Sequence, residues 1–353
     1  MPGDPHRIDQ DRMAAFMQQF IADLGATIAA GGVVVGDRLG LYRALATGRM
    51  RPQELARRTG TAPRYVEEWL RGQAAGGYVE YDAATGEYHL TPEQAHLLAD
   101  PDSDVYAPAA FQLALGALRA EPQITEAFRT GKGVAWSDQD ADVATGCDRF
   151  AHASYRGKLR KKWLPALDGV EEKLRAGARI ADVGCGHGGA VALMAQEFPA
   201  SEFVGWDCDA RAVDAARRAY AEDGRVSFEV GRAHDLTGGP FDLVTTIDVL
   251  HDMGDPFGAA RRIREQLAPD GIWMIVEPAA GSTVAANLNP IGRIYYSFST
   301  FVCVPNALAQ EGGYSLGAQA GQAPVRWLVH AAGFRGFRRV AQDTLHAVYE
   351  VRP

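Results

Sequence analysis

Between residues 13 and 28, Met13, Phe16, Met17, Phe20, Ile21, Leu24 and Ile28 recur at i, i+3, i+4 and i+7 spacing, which predicts a helix with one apolar stripe. Such a stripe near the N-terminus either packs into the core or meets a second copy of the chain. From residue 41 the pattern predicts a helix, a short helix, a turn at Gly60, a longer helix from Pro63, and two strands around Thr85-Gly86. That order is a winged helix. Residues 103 to about 165 predict mostly helix, with breaks near 131–147.

The rhythm changes at Arg179. Short apolar runs, RIADVG, EFVGWD, VSFEV, FDLVTTI and GIWMIVE, alternate with helical stretches such as ARAVDAARRAYAE and GAARRIREQLA. This alternation predicts βαβ units, a parallel sheet and a ligand cleft at the C-terminal ends of the strands.

Composition narrows the class. The 353 residues are 47% apolar and 23% charged, ordinary for a globular protein with room for two domains. A net charge of −8 argues against a protein built to neutralise phosphates, so nucleic acid is not the expected partner. The helix from Pro63 carries Glu67 and Glu68 beside Tyr65, Val66, Trp69 and Leu70, a mix suited to packing. Arg49, Arg51, Arg57, Arg58, Arg64 and Arg71 keep a DNA-binding reading open. Cys147, Cys185, Cys208 and Cys303 are widely spaced, and neither a signal-peptide core nor an 18-residue apolar run is read in the sequence. The expectation is a cytoplasmic protein without membrane attachment or structural zinc.

The candidate chemistry begins at ARIADVGCGHGGA, residues 178–190. GCGHGG fits the dinucleotide pattern G-x-G-x-x-G, a weak signal alone. Asp182, two residues before Gly184, would repel a pyrophosphate and favours a cation or a hydrogen-bond donor. S-adenosylmethionine has no phosphate and carries a sulfonium and an ammonium, so it suits this turn better than NAD. Asp207, ending the second run, is placed to accept ribose hydroxyls from either cofactor. Asp235 in GRAHDL is a candidate for the adenine amino group, with His234 offering backbone. His187, inside the turn, is read as packing at the cofactor's edge.

The order D-x-G-x-G-x-G at 182–188, then Asp207, AHDL, FDLV and LAPDG, resembles the class I S-adenosylmethionine-dependent methyltransferases over roughly residues 170–353. With the winged-helix start, the resemblance extends to bacterial and, more loosely, plant-type small-molecule O-methyltransferases. It implies a Rossmann-like α/β sheet closed by an antiparallel hairpin, supplied here by FRGFRRVAQDTLHAVYEV. It also implies a helical, winged-helix first domain that dimerises and roofs the substrate pocket. The expected domains are 1–102 (winged helix), 103–165 (helical linker forming part of the pocket) and 166–353 (catalytic, with a lid insertion at 279–321).

His251 follows the fourth run, at the cleft end of the sheet, and an imidazole suits proton removal near neutrality. LHDMGDP resembles the HDWSD segment carrying that family's catalytic histidine, and Glu277 matches the glutamate that orients it. Met253 stands where the family has an aromatic residue, and GQAPVRWLVHAAGF lacks the second acidic neighbour. Gly184, Gly186, Gly188 and Tyr155 complete the expected cofactor site. Arg293, Tyr295, Tyr296 and Phe298 in the lid are candidates for the acceptor, and no catalytic metal is expected. The function read is methyl transfer to a small aromatic or hydroxylated acceptor, oxygen favoured. The alternatives are a winged-helix regulator with a ligand-sensing methyltransferase-like domain, and a dinucleotide oxidoreductase.

Overall fold

The computed structural model describes residues 8–353, so the polar start of the chain, residues 1–7, lies outside the described residues. The chain divides into two compact units, Met1–Leu115 and Gly116–Pro353. The expected linker, 103–165, is thus shared between them.

The first unit opens with a helix, Gln10–Arg38, capped by the Asp9 carboxylate, which accepts from the backbone of Asp11 and Arg12. Its C-terminal part is held by close backbone approach. A Cβ at Gly36 would stand 2.5 Å from the Trp69 ring and 2.6 Å from Tyr42, and Trp69 Nε1 donates to the Gly32 carbonyl at 2.7 Å. Here Val33 joins Leu41, Leu45, Leu55, Val66, Leu70 and Leu98 in one core. The predicted stripe lies further back and faces solvent within the chain, with Phe16 66% and Ile28 75% exposed.

By length and composition this helix is apolar enough to cross a membrane, with an 18-residue window of mean hydropathy 1.5. Alanine and glycine make up much of that window, so it is only weakly apolar. The last turns of the helix are built into a folded core.

Helices Leu41–Leu45, Pro52–Thr59 and Pro63–Ala75 follow. Strands β1 (Glu80–Asp82) and β2 (Glu87–His89) then pair antiparallel as the wing. The outward face of Pro63–Ala75 compensates its own charge. Arg71 pairs with Glu67 at 2.5 Å and Arg64 pairs with Glu68, an arrangement that leaves little for a phosphate backbone.

The second unit holds a seven-stranded sheet in the order β5-β4-β3-β6-β7-β9-β8. Its members are β3 (Arg179–Val183), β4 (Glu202–Asp207), β5 (Val226–Val230), β6 (Phe241–Ile247), β7 (Leu267–Pro278), β8 (Gly336–Gln342) and β9 (His346–Arg352). β3 to β7 run parallel, and β9 inserts antiparallel between β7 and β8, as expected from the terminal hairpin. Both faces are covered. Ile180, Leu243 and Met274 face one apolar cluster and Ala181, Val244 and Ile275 the other, which is why these strands read as unbroken apolar runs. The strand order reverses between β3 and β6, so the cleft opens at their C-terminal ends.

Candidate active site

The turn leaving β3 places Gly184, Gly186 and Gly188 at φ of 81°, 52° and 82°, a region that favours glycine. Packing reinforces the choice at two of them. A Cβ would stand 2.5 Å from Val249 at Gly184 and 2.6 Å from Phe228 at Gly188, whereas Gly186 has nothing within 4 Å and faces the open cleft. Asp207 at the end of β4 fixes the turn: its Oδ2 accepts from Gly186 N at 2.9 Å and its Oδ1 from Asp209 N at 2.8 Å. Burial raises its carboxyl, and these backbone donors oppose that rise.

Gly184, Gly186, Asp207 and Tyr155 all line a cavity of ≈ 250 Å³. Trp136 and Trp206 wall it too, and Trp206 Nε1 donates to the Arg232 carbonyl at 3.1 Å. Five aspartates, Asp148, Asp207, Asp209, Asp248 and Asp252, line it against a single arginine, Arg232. That guanidinium is already engaged by Glu311 at 2.7 Å and Asp235 at 3.6 Å. A cleft of this sign rejects a pyrophosphate and suits a cationic nucleoside. S-adenosylmethionine fits: Gly186 leaves room at the turn, and each Asp207 oxygen keeps lone pairs for ribose hydroxyls.

Other expected cofactor residues sit beside the cavity. Asp182 is 3% exposed and accepts from Thr245 Oγ1 at 2.5 Å, behind the turn. Burial pushes it up to about 6, although Thr245 opposes this. His234 and Asp235 lie on a short helical turn, Ala233–Asp235, whose neighbours Arg232 and Ala233 form the wall. Gly188 starts the helix Gly189–Glu197 as its cap.

His251 and Glu277 are brought together by the parallel pairing of β6 and β7. His251 Nδ1 stands 2.6 Å from Glu277 Oε2, and Glu277 Oε1 accepts from Leu250 N at 3.0 Å. Both are buried, at 4% and 6% exposure. Burial opposes charge on the imidazole, yet Glu277 and Asp252 outweigh it and hold His251 well above its ordinary value. Its other nitrogen, Nε2, lies 3.3 Å from Asp252 Oδ1, and Asp252 lines the cavity. The imidazole therefore meets the cleft through Asp252.

Cys303 completes this corner. Donor atoms of His251, Asp252 and Cys303 lie within 4.8 Å of one another, a set with the chemistry to hold a soft cation, and burial pushes the thiol up to about 12. Cys303 is 52 positions from His251, so no spacing motif reveals it.

The lid follows β7 through helix Pro290–Phe298, a wide helical turn Ser299–Cys303, and helix Val304–Ala309. None of its expected acceptor residues lines the main cavity. Tyr295 donates to the Leu345 carbonyl at 2.8 Å. Tyr296 borders a second cavity of ≈ 470 Å³ with Phe128, Lys132 and Thr300. Arg293 is exposed and Phe298 half-buried. Asn306 and Gln310, from the lid's end, do reach the main cavity, as do Asp248 and His346, four residues that the sequence reading passed over.

Comparison with known proteins agrees with this architecture. Residues 174–312 match a family described as a methyltransferase domain, and residues 27–100 match an Rv2258c-like winged HTH domain. The chain is 27% identical to an indolepyruvate C-methyltransferase of Streptomyces griseus, over 69% of this chain and 71% of that protein. Its fold is shared with the mitomycin 7-O-methyltransferase MmcR (TM-score 0.69, 20% identity, 98% of this chain and 100% of that one). It is shared also with human N-acetylserotonin methyltransferase solved with S-adenosylmethionine (TM-score 0.72, 15% identity, 99% of each chain).

Proposed function

We propose that this chain, a member of the S-adenosylmethionine-dependent methyltransferases with an N-terminal winged-helix domain, methylates a hydroxyl of a small, aromatic or otherwise hydroxylated acceptor. The observation that carries the reading is the buried His251–Glu277 pair, 2.6 Å apart, set beside a cleft whose wall is a glycine turn clasped by Asp207.

When bound, S-adenosylmethionine supplies an activated methyl group. Asp207 and the turn Gly184–Gly188 would hold the nucleoside, with Asp235 and the His234 backbone beside its base and Tyr155 on the cavity wall against it. Holding the acceptor close provides up to about 7–11 kcal/mol of rate acceleration. His251 takes the acceptor's proton by way of the cleft-facing Asp252, and Glu277 fixes the imidazole's orientation and stabilises its positive form. Asp182 supports the turn from behind. Tyr295, Tyr296, Phe298 and Arg293 belong to the lid that covers the acceptor.

A second reading rests on the Streptomyces relative, an indolepyruvate C-methyltransferase. A base at His251 serves equally to remove a proton from carbon next to a carbonyl, with methylation then at carbon. The regulator reading has no support from the comparisons. Two copies associate through the exposed stripe of Gln10–Arg38.

Calorimetric titration with S-adenosylmethionine and S-adenosylhomocysteine tests the core of this. Micromolar binding that Asp207→Ala abolishes, with no binding of NAD, is the expected result. Binding of NAD alone would overturn the reading.

A further inference from the structure

Asp248 has no part in the chemistry above, yet its backbone is held in an unusual conformation at the cleft. It follows β6 with φ of 55°, the one described non-glycine residue in the left-handed region. Asp is among the residues that tolerate this best, and such outliers concentrate at functional positions. Its N–H donates to the Val276 carbonyl at 2.9 Å.

Its carboxylate ends a chain of polar groups that starts on other elements. Asp343 pairs with Lys158 Nζ at 3.0 Å, Lys158 Nζ stands 3.2 Å from His346 Nδ1, and His346 Nε2 lies 3.0 Å from Asp248 Oδ2. An ammonium only donates, so Nδ1 accepts, and the proton of a neutral imidazole sits on Nε2, aimed at Asp248. Counting charge along the chain gives two carboxylates against one ammonium. With the imidazole neutral, these four groups together carry one net negative charge.

That charge resides where the cleft can reach it. Asp248 and His346 both line the cavity. The Asp248 side chain keeps 38% exposure, while its Oδ1 is buried with no hydrogen-bond partner. Burial alone would neutralise the carboxyl, but His346, and after it His251 and Lys158, hold it below its usual value. A carboxylate kept ionised in a partly dry cleft calls for a cation. Among the described residues Arg232 is the only lysine or arginine on the cavity wall, and Glu311 and Asp235 engage it. A cationic group on a ligand would find in Asp248 Oδ1 an acceptor that no described residue engages.

The sheet order fixes which part of a ligand this is. β4 and β6 flank β3 on opposite sides, so Asp248 stands across the glycine turn from Asp207 and away from the nucleoside side. We propose that Asp248, positioned by His346 and Lys158, is an anionic subsite of the cleft that holds a protonated amine. The inference rests on the methyltransferase reading. Two sources supply that chemistry: the amino group on the cofactor's methionyl arm, or an amino group on the acceptor.

The test is calorimetry on the full chain and on Asp248→Asn, which keeps left-handed tolerance and an acceptor for His346 while removing the charge. The ligands are S-adenosylhomocysteine and methylthioadenosine, which shares the nucleoside and sulfur but has no amino-acid arm. Phenethylamine and phenethyl alcohol are then titrated into protein saturated with S-adenosylhomocysteine. If the arm is the source, Asp248→Asn weakens S-adenosylhomocysteine by ~30-fold or more, with methylthioadenosine unchanged. If the acceptor is the source, S-adenosylhomocysteine is unchanged, and the wild type's preference for phenethylamine over the alcohol disappears in the variant. Lys158→Met, which leaves Asp248 in place, weakens the same ligand and serves if Asp248→Asn does not fold. Wild-type affinities retained by the variants for every ligand overturn the proposal. Failure of the wild type to bind either nucleoside overturns the methyltransferase reading instead.

Discussion

The role of base proposed for His251 carries a pH dependence set by its surroundings. A base must be deprotonated to act, and Glu277 with Asp252 holds the imidazole's pKa above its ordinary value against the opposing effect of burial. The rate is therefore expected to rise with pH through a midpoint above about 6.5, and a kcat/KM profile checks this. Glu277→Gln removes the anion, so the rising limb moves to lower pH while the maximal rate falls. His251→Ala is expected to cost about 10²- to 10⁴-fold in kcat. Unchanged turnover in both variants would remove the base from the mechanism. Asp182 makes the opposite kind of statement, about stability. Its folded value of about 6 exceeds that of the unfolded chain, so folding takes up a proton, and stability declines as pH rises from about 4 to 6. Above that window the buried charge costs up to about 3 kcal/mol. Urea denaturation of Asp182→Asn at several pH values is expected to lose this slope.

The glycine turn and the strands around it show what a local pattern can and cannot tell. Alternation of apolar runs and helices was enough to place β3 to β7, and D-x-G-x-G-x-G with Asp207 was enough to locate the cleft, because each is written in adjacent residues. His251, four residues beyond the end of β6, is likewise placed near the strand ends by its position in the chain. The lid was harder. Helical spacing places Tyr295, Tyr296 and Phe298 on a helix but leaves open how that helix is turned, and the structure has Tyr295 bonding the Leu345 carbonyl instead of lining the main cavity. Cys303 and His346 were invisible for a related reason: they meet His251 and Asp248 through pairings that only the assembled sheet and lid create, 98 positions apart for His346 and Asp248. Within the turn, Gly184→Ala is expected to destabilise by about 1–3 kcal/mol, since φ of 81° and a Cβ 2.5 Å from Val249 add strain to overlap. Gly186→Ala meets no such overlap and is expected to impair cofactor binding more than it lowers the melting temperature.

On the scale of the molecule, the first helix is the feature least explained by one chain alone. Its C-terminal part is locked into the winged-helix core, while Phe16, Phe20, Ile21, Leu24 and Ile28 present an exposed apolar row. Exposed apolar rows of this size mark surfaces that meet another protein or a membrane, and the association proposed above takes this one as the contact between two copies. Replacing Leu24 and Ile28 by Glu is expected to convert a dimer to a monomer in light scattering, with the winged-helix core unaffected; a wild type that is monomeric at micromolar concentration would refute the association. The protein also carries its own optical reporter. Of six tryptophans, Trp136 and Trp206 border the cleft, and Trp206 is pinned through its ring nitrogen to the strand-end backbone. Part of the intrinsic fluorescence therefore originates within reach of anything that enters, and occupancy of the cleft can be followed by emission without attaching a label.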